Sequence, residues 1–437
     1  MGVGWHSFSS VQGDTTQIAK ANMRSSANPL SLFSAALASL SVACSDTGSD
    51  QLTYEISDSA GVEIVISHGG TDFDSPWTFS EAPLVRIGKG REEDPYLFTS
   101  ISGAVRLTDG SIVVRESRSV ELRRFDSLGN HVVSFSGKGG GPGEFTSAWA
   151  GIFRSGDTLQ VLNYDGKTAR FSPEGSLLDE TPGRGLRPGS GTEYSGDWLG
   201  ILPNDRLWGQ RYKPYPDPPI GVVYRDPIQV VISDPQRTEV RVLGEYKGEA
   251  RFQIPSFEWY RPSFITLPWQ SWKPSGVLVG DNETFIIDLF GPQGEHLRRM
   301  KYPGGVRPPE QWQLEGHRSA LRQHTEARGQ AFPQLREWIR EVPDPETWPG
   351  FIQLVGDEVG YVWAMEYVPT DAFSPSTVDV PEIHRGAVIF HPDGYVLGQI
   401  ELPADLRVFE IGDDYLLGVE TDSLGVQEVV LYGLSRG

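Results

Sequence analysis

The sequence predicts an all-β fold assembled from repeated antiparallel units, and three observations predict it. A Phe-x-x-x-Gly signature recurs at Phe125–Gly129, Phe171–Gly175, Phe290–Gly294 and Phe390–Gly394, each time between two apolar runs of strand length. A second pattern appears twice: Gly88-Lys-Gly90 followed by Phe98 to Val105, and Gly137-Lys-Gly139 followed by Phe145 to Ile152. Glycine and proline, 50 and 32 of 437 residues, are spread along the length, which indicates many turns and short strands in place of long helices.

The turns order the strands. Asp109-Gly110 precedes the apolar run Ser111–Val114, and Ser155-Gly156-Asp157 precedes Thr158–Leu162. The Gly that ends each Phe-x-x-x-Gly supplies the positive φ of a tight hairpin. Ile232-Ser-Asp-Pro-Gln-Arg237 is a degenerate copy without the Gly. Together these markers define five units. The tail adds Leu406–Ile411, Tyr415–Val419 and Val426–Tyr432, three strands where a unit needs four. The missing outer strand is expected from the other end of the chain, at Leu84–Gly88. Closing a ring in this way removes a free sheet edge. The expected architecture is therefore a six-bladed β-propeller closed by an N-terminal strand.

At Asp109–Val114, Glu121–Asp126, Gly129 and Gly139–Phe145 the chain resembles the six-bladed β-propeller lipoproteins with NHL-like repeats of environmental bacteria. The resemblance spans residues 54–434. It implies a fold and an address but no activity, because this fold hosts many.

Ahead of the repeats, Met23-Arg24 and the apolar stretch Leu30–Ala43 have the charge and length of a signal peptide. This predicts initiation at Met23, with residues 1–43 divided between an upstream extension and the leader. Ser41-Val-Ala-Cys44 resembles a lipobox, with Leu40 one place earlier than the motif has it. Either signal peptidase would cut before Cys44, the only cysteine, and an acyl chain there would tether the protein to a membrane. Residues 44–61 read as a linker and 62–437 as the propeller. The expected location is extracytoplasmic, as a periplasmic or outer-membrane lipoprotein.

Two segments break the repeat. Arg251–Trp272 is dense in aromatics and prolines, and reads either as packing between blades or as an aromatic wall for a sugar or peptide. Within 306–346, Pro308 suits the start of a helix. Leu314, His317 and Leu321 fall on one helical face, as do Leu335, Trp338 and Ile339. Two short helices are expected between blades 4 and 5, either lidding the channel or decorating the side.

The charge of −20, from 38 basic and 58 acidic residues, disfavours nucleic acid. No Gly-x-Ser-x-Gly elbow, Walker motif or His-Glu-x-x-His is present. Propeller ligands sit at one mouth of the channel, ringed by the loops between second and third strands. Here those loops carry Glu116, Arg118, Asp165, Lys167, Arg211, Tyr212, Asp281, Glu283, Glu366, Glu420 and Asp422. A ring of both signs suits a polar or zwitterionic ligand. No cofactor is expected, and calcium is the cation that converging carboxylates would accept. The expected function is binding of an envelope protein, peptide or glycan by a monomer. The alternative is a lactonase-like hydrolase or a lyase with a divalent metal in the channel.

Overall fold

The computed structural model describes residues 52–69, 75–88, 94–146, 149–186, 195–202, 205–213, 219–237, 240–260, 268–273, 276–328, 334–367, 384–422 and 424–437. The expected leader, Met23 and Cys44 lie outside these residues, as does the stretch 261–267 of the aromatic segment.

The described chain is mostly β-strand. Strands β1 (Thr53–Ser59) and β2 (Val62–His68) form a hairpin, and β3 (Thr78–Phe79) and β4 (Val85–Ile87) follow. Next comes a four-stranded antiparallel sheet of β5 (Ile101–Arg106), β6 (Ile112–Glu116), β7 (Glu121–Phe125) and β8 (His131–Ser136). A second holds β9 (Trp149–Ser155), β10 (Thr158–Asn163), β11 (Thr168–Phe171) and β12 (Leu177–Thr181). A third has β13 (Ser195–Ile201), β14 (Leu207–Tyr212), the long pair β15 (Val223–Ser233) and β16 (Val240–Ile254), and β17 (Phe257–Tyr260) as a fifth strand. The fourth is β18 (Pro268–Lys273), β19 (Gly276–Asp281), β20 (Ile286–Phe290) and β21 (His296–Lys301).

Two helices, α1 (Gln311–Arg328) and α2 (Gln334–Glu341), precede β22 (Gln353–Gly356), β23 (Val362–Met365), β24 (His384–Phe390) and β25 (Val396–Ile411). The first half of β25 pairs with β24, and its second half pairs with β26 (Tyr415–Thr421), which pairs with β27 (Gln427–Ser435).

The first and last strands among the described residues are tied into this order. Strand β4 lies antiparallel beside β27, with Val85 opposite Leu431 and Ile87 opposite Val429. Strand β2 lies parallel beside β21, with Glu63 opposite Arg298 and Ile66 opposite Lys301. The sequence assigns 44–61 to a linker, but residues 53–59 are paired strand. Their burial shows why the sequence hides this. Every residue of β1 is exposed, so the strand carries no apolar face to mark it.

The central strands are apolar on both faces: β6, β19 and β23 are buried nearly throughout. Each must therefore be covered on both sides. Val113 and Leu122 pack on Leu159 and Phe171 of the second sheet. Leu162 packs on Trp198 and Leu207 of the third, and Trp208 and Val230 pack on Val277 and Phe290 of the fourth. Leu278 and Ile287 pack on Val362 and Phe390, and Trp363 and Ile389 pack on Leu416 and Val430. Leu417, Val429 and Ile87 then return to Ile101, Val114 and Phe125 of the first sheet. Strands β5, β9, β13, β18, β22 and β25 touch in the same succession, and β25 touches β5.

The repeated turns have the expected backbone. Gly129 has φ +82°, and a Cβ there would stand 3.1 Å from the Arg86 carbonyl oxygen, so the hairpin tip lies against β4. In the degenerate copy Arg237 takes the glycine's place with φ +58°, a strained setting for a side chain. Its guanidinium compensates by donating to the Gly166 carbonyl at 2.9 Å and the Thr168 hydroxyl at 2.9 Å in the preceding sheet.

Helix α2 docks on the end of the third sheet, and α1 packs on α2. Trp338 is fully buried against Phe252, with Ile254 and Leu335 beside it, and its Nε1 donates to the Phe252 carbonyl at 2.8 Å. Phe252 of the aromatic segment is thus core packing.

Candidate functional site

Loops joining second to third strands emerge at one end of the sheets, and those joining first to second strands emerge at the other. The residues singled out from sequence lie at the first end, and most are held by their own surroundings. Glu116 is buried and accepts from the amides of Ser119 at 2.6 Å and Ser100 at 2.9 Å, and from the Ser119 hydroxyl at 2.8 Å. Desolvation pushes its carboxyl up, but these donors outweigh burial and hold it below the usual range. It clamps its turn to the incoming chain, while neighbouring Arg118 is exposed.

Asp165 accepts from the Lys167 amide at 2.9 Å, a local turn contact. The Lys167 ammonium turns away to the Glu144 carbonyl at 2.8 Å and stands over the Phe145 ring. Arg211 donates to Gln229 at 2.8 Å, and Tyr212 is half-buried at the end of β14. Asp422 closes its turn by accepting from the amides of Leu424 and Val426. Glu420 accepts from the Tyr432 hydroxyl and pairs with Arg86 of β4 at 2.7 Å, and the same guanidinium is 3.0 Å from Glu428.

Asp281 and Glu283 do come together. Arg225, from β15 of the neighbouring sheet, lies 3.4 Å from Asp281 and 2.7 Å from Glu283, and Lys247 is 3.1 Å from Glu283. Burial raises the Glu283 carboxyl, but the two cations win and lower it. The cluster is charge-satisfied and bridges two sheets.

Glu366 stands apart from the rest. It follows β23 and lines a cavity of about 380 Å³ with Arg307, Gln313, Trp348, Tyr367 and Gln399. One carboxylate oxygen accepts from the Gln399 amide at 3.0 Å. The other faces Gly386, where a Cβ would stand 2.6 Å away, so a glycine is needed to leave the carboxylate its place. Burial raises the Glu366 carboxyl, with the charge of Arg307 opposing. The rim comes from the segment entering α1. Gln313 accepts from Trp348 Nε1 at 2.9 Å and from the Glu310 amide at 2.9 Å, fixing the start of the helix on the wall.

Sequence reasoning missed the charged group at the opposite end of the sheets. Arg154, at the end of β9, reaches Glu410 at 3.0 Å and also pairs with Glu358 from the β22–β23 loop. The Arg106 amide donates to Glu410 at 2.7 Å, and the Arg106 guanidinium lies over the Tyr415 ring at 4.6 Å. The only signal was that an Arg lies at or next to the last residue of both β5 and β9, with a Glu near the end of β25. Among the described residues no three His, Cys, Asp or Glu side chains are grouped so that they could hold a metal ion. None of the described helices is long and apolar enough to cross a membrane.

No protein-family model matches the chain, and no curated protein matches it in sequence. Among solved structures, the chain is similar to a protein of Bacteroides fragilis described as exported, at 13% identity over 85% of this chain and 99% of that one, with TM-score 0.44. It is similar to a member of the DUF4221 family from Bacteroides vulgatus, at 12% identity over 83% and 99%, with TM-score 0.45. It is also similar to a gluconolactonase of Xanthomonas campestris, at 12% identity over 78% and 87%, with TM-score 0.38.

Proposed function

We propose that this chain is an exported six-bladed β-propeller that binds an envelope protein, peptide or glycan at the loop-rich end of its channel, in the cavity around Glu366. The succession of packed sheets that returns to its starting point supports the closed ring, as does the place of β4 beside β27. The apolar leader before Cys44 supports export, with a lipid on Cys44 as the tether.

One observation carries the choice of site. Most of the other loop side chains are tied to their own turn or the next sheet, while Glu366 lines a cavity together with three aromatic residues and several polar groups. Concave, partly polar pockets with a carboxylate of shifted pKa are where ligands are held.

The test is a panel of peptides and glycans screened against the protein and its Glu366→Gln variant. Partners that bind the first and are lost from the second place recognition at this cavity. Partners retained in full by the variant would move it elsewhere.

A further inference from the structure

We infer that the Glu366 cavity takes a primary ammonium group, as a peptide's first residue or a lysine side chain presents. This rests on the cavity being the binding site, and it names the chemistry that enters.

The wall offers negative charge and ring surface. Glu366 lines the cavity with one oxygen on Gln399 and the other beside Gly386, and Glu310, which accepts from Trp312 Nε1, adds a second carboxylate on the rim. The Trp348 donor is given to Gln313 and its ring is nearly closed off, so the half-buried ring on the wall is that of Tyr367. Aromatic rings beside a carboxylate are the combination that holds ammonium groups. Arg307 is exposed on the rim and acts on Glu366 through its field, so it is a resident cation that an incoming ammonium would replace.

Two other ligand classes fit worse. A sugar ring needs an open aromatic face, but Trp348 is 6% exposed, with the His317 and Tyr367 rings each centred 5.5 Å from its own. An anion would meet the two carboxylates of Glu310 and Glu366 against the one cation of Arg307. The overall charge of −20 also draws cations toward the protein and repels anions.

The experiment is calorimetric titration of the full-length protein with triglycine, its N-acetylated form, an N-acetylated peptide containing one lysine, and N-acetylglucosamine. Triglycine should bind, and N-acetyltriglycine should not. Binding of the acetylated lysine peptide would assign the side-chain amine as a source, and its failure would assign the chain start alone. Glu366→Gln should weaken amine binding about tenfold or more. Arg307→Ala keeps the carboxylate and should strengthen amine binding about threefold, which guards against misfolding of the first variant.

Equal binding of acetylated and free triglycine overturns the inference, as does undiminished amine binding by Glu366→Gln. Glu366-dependent binding of N-acetylglucosamine in place of the amines would sink the ammonium assignment yet leave the cavity as the site. If no probe binds, while partners from the panel bind the Glu366→Gln variant in full, both fail.

Discussion

Arg154 and Glu410 are separated by most of the chain, yet Nε of one lies 3.0 Å from Oε1 of the other at the end of the sheets opposite the candidate site. Both side chains are largely withdrawn from water. Arg154→Ala would leave Glu410 without its cation and is expected to cost about 3 kcal/mol, the lower part of the range for breaking a buried pair. Desolvation raises the Glu410 carboxyl despite Arg154. A carboxyl raised in the folded state takes up protons more readily there than in the unfolded chain, so its ionisation costs stability as pH rises above the ordinary carboxylate value. Urea midpoints should therefore fall further for Arg154→Ala at pH 8 than at pH 5.

Ile87 sits in the core shared by the last sheet and the first, and is 1% exposed. Ile87→Ala should cost about 2–5 kcal/mol. If β4 closes a ring, the loss appears as one cooperative transition moved to lower denaturant. A separate early transition confined to the first eighty-odd residues would contradict closure.

His317 on α1 is buried beside Trp348, and desolvation pushes its imidazole down to about 4. Its unfolded value is near 6.5, so between those limits the unfolded chain binds the proton and the folded one does not. Stability should fall as pH drops from about 6.5 to 4, by on the order of 3 kcal/mol at most. His317→Phe should flatten that stretch of a stability-versus-pH curve.

Trp338 anchors α2 by packing and by its bond to the Phe252 carbonyl. Trp338→Ala should cost about 3–5 kcal/mol if the helix is part of the cooperative unit. If α2 is instead a separate outer layer, limited proteolysis should cut residues 311–341 first, with the remaining fragment still folded.

Cys44 is the sole acceptor for a thioether-linked lipid. Labelled fatty acid should enter the wild-type protein in a bacterial host and be absent from Cys44→Ser, with the variant recovered in the soluble envelope fraction. Equal labelling of both would remove the tether.

The repeat was legible because its turns need a particular backbone. Gly175, Gly294 and Gly394 all have positive φ, at +86°, +83° and +91°, and only glycine adopts that without strain, so the residue type survives in the sequence. The location of Leu84–Gly88 was legible by subtraction, from a tail with one strand too few. Strand β1 was not, since an all-exposed strand has the composition of a linker. The parallel seat of β2 on β21 was equally hidden, because it depends on register between segments more than two hundred residues apart. At the site, Glu366 could be placed on a loop, but Gln399, Trp348 and Gln313 come from other elements. Nothing in their local sequence points to a common cavity. The same holds for Arg225, which looks like an ordinary strand residue until Asp281 and Glu283 are brought beside it.

The pairing of β2 with β21 and of β4 with β27 sets a timetable for the newborn polypeptide. Segments made early stay without neighbours until the ribosome has passed Lys301 and then Val429. For most of its synthesis the molecule lacks the partners that would lock it. The two paired segments near the start therefore settle late, after the sheets between them and their partners have been made.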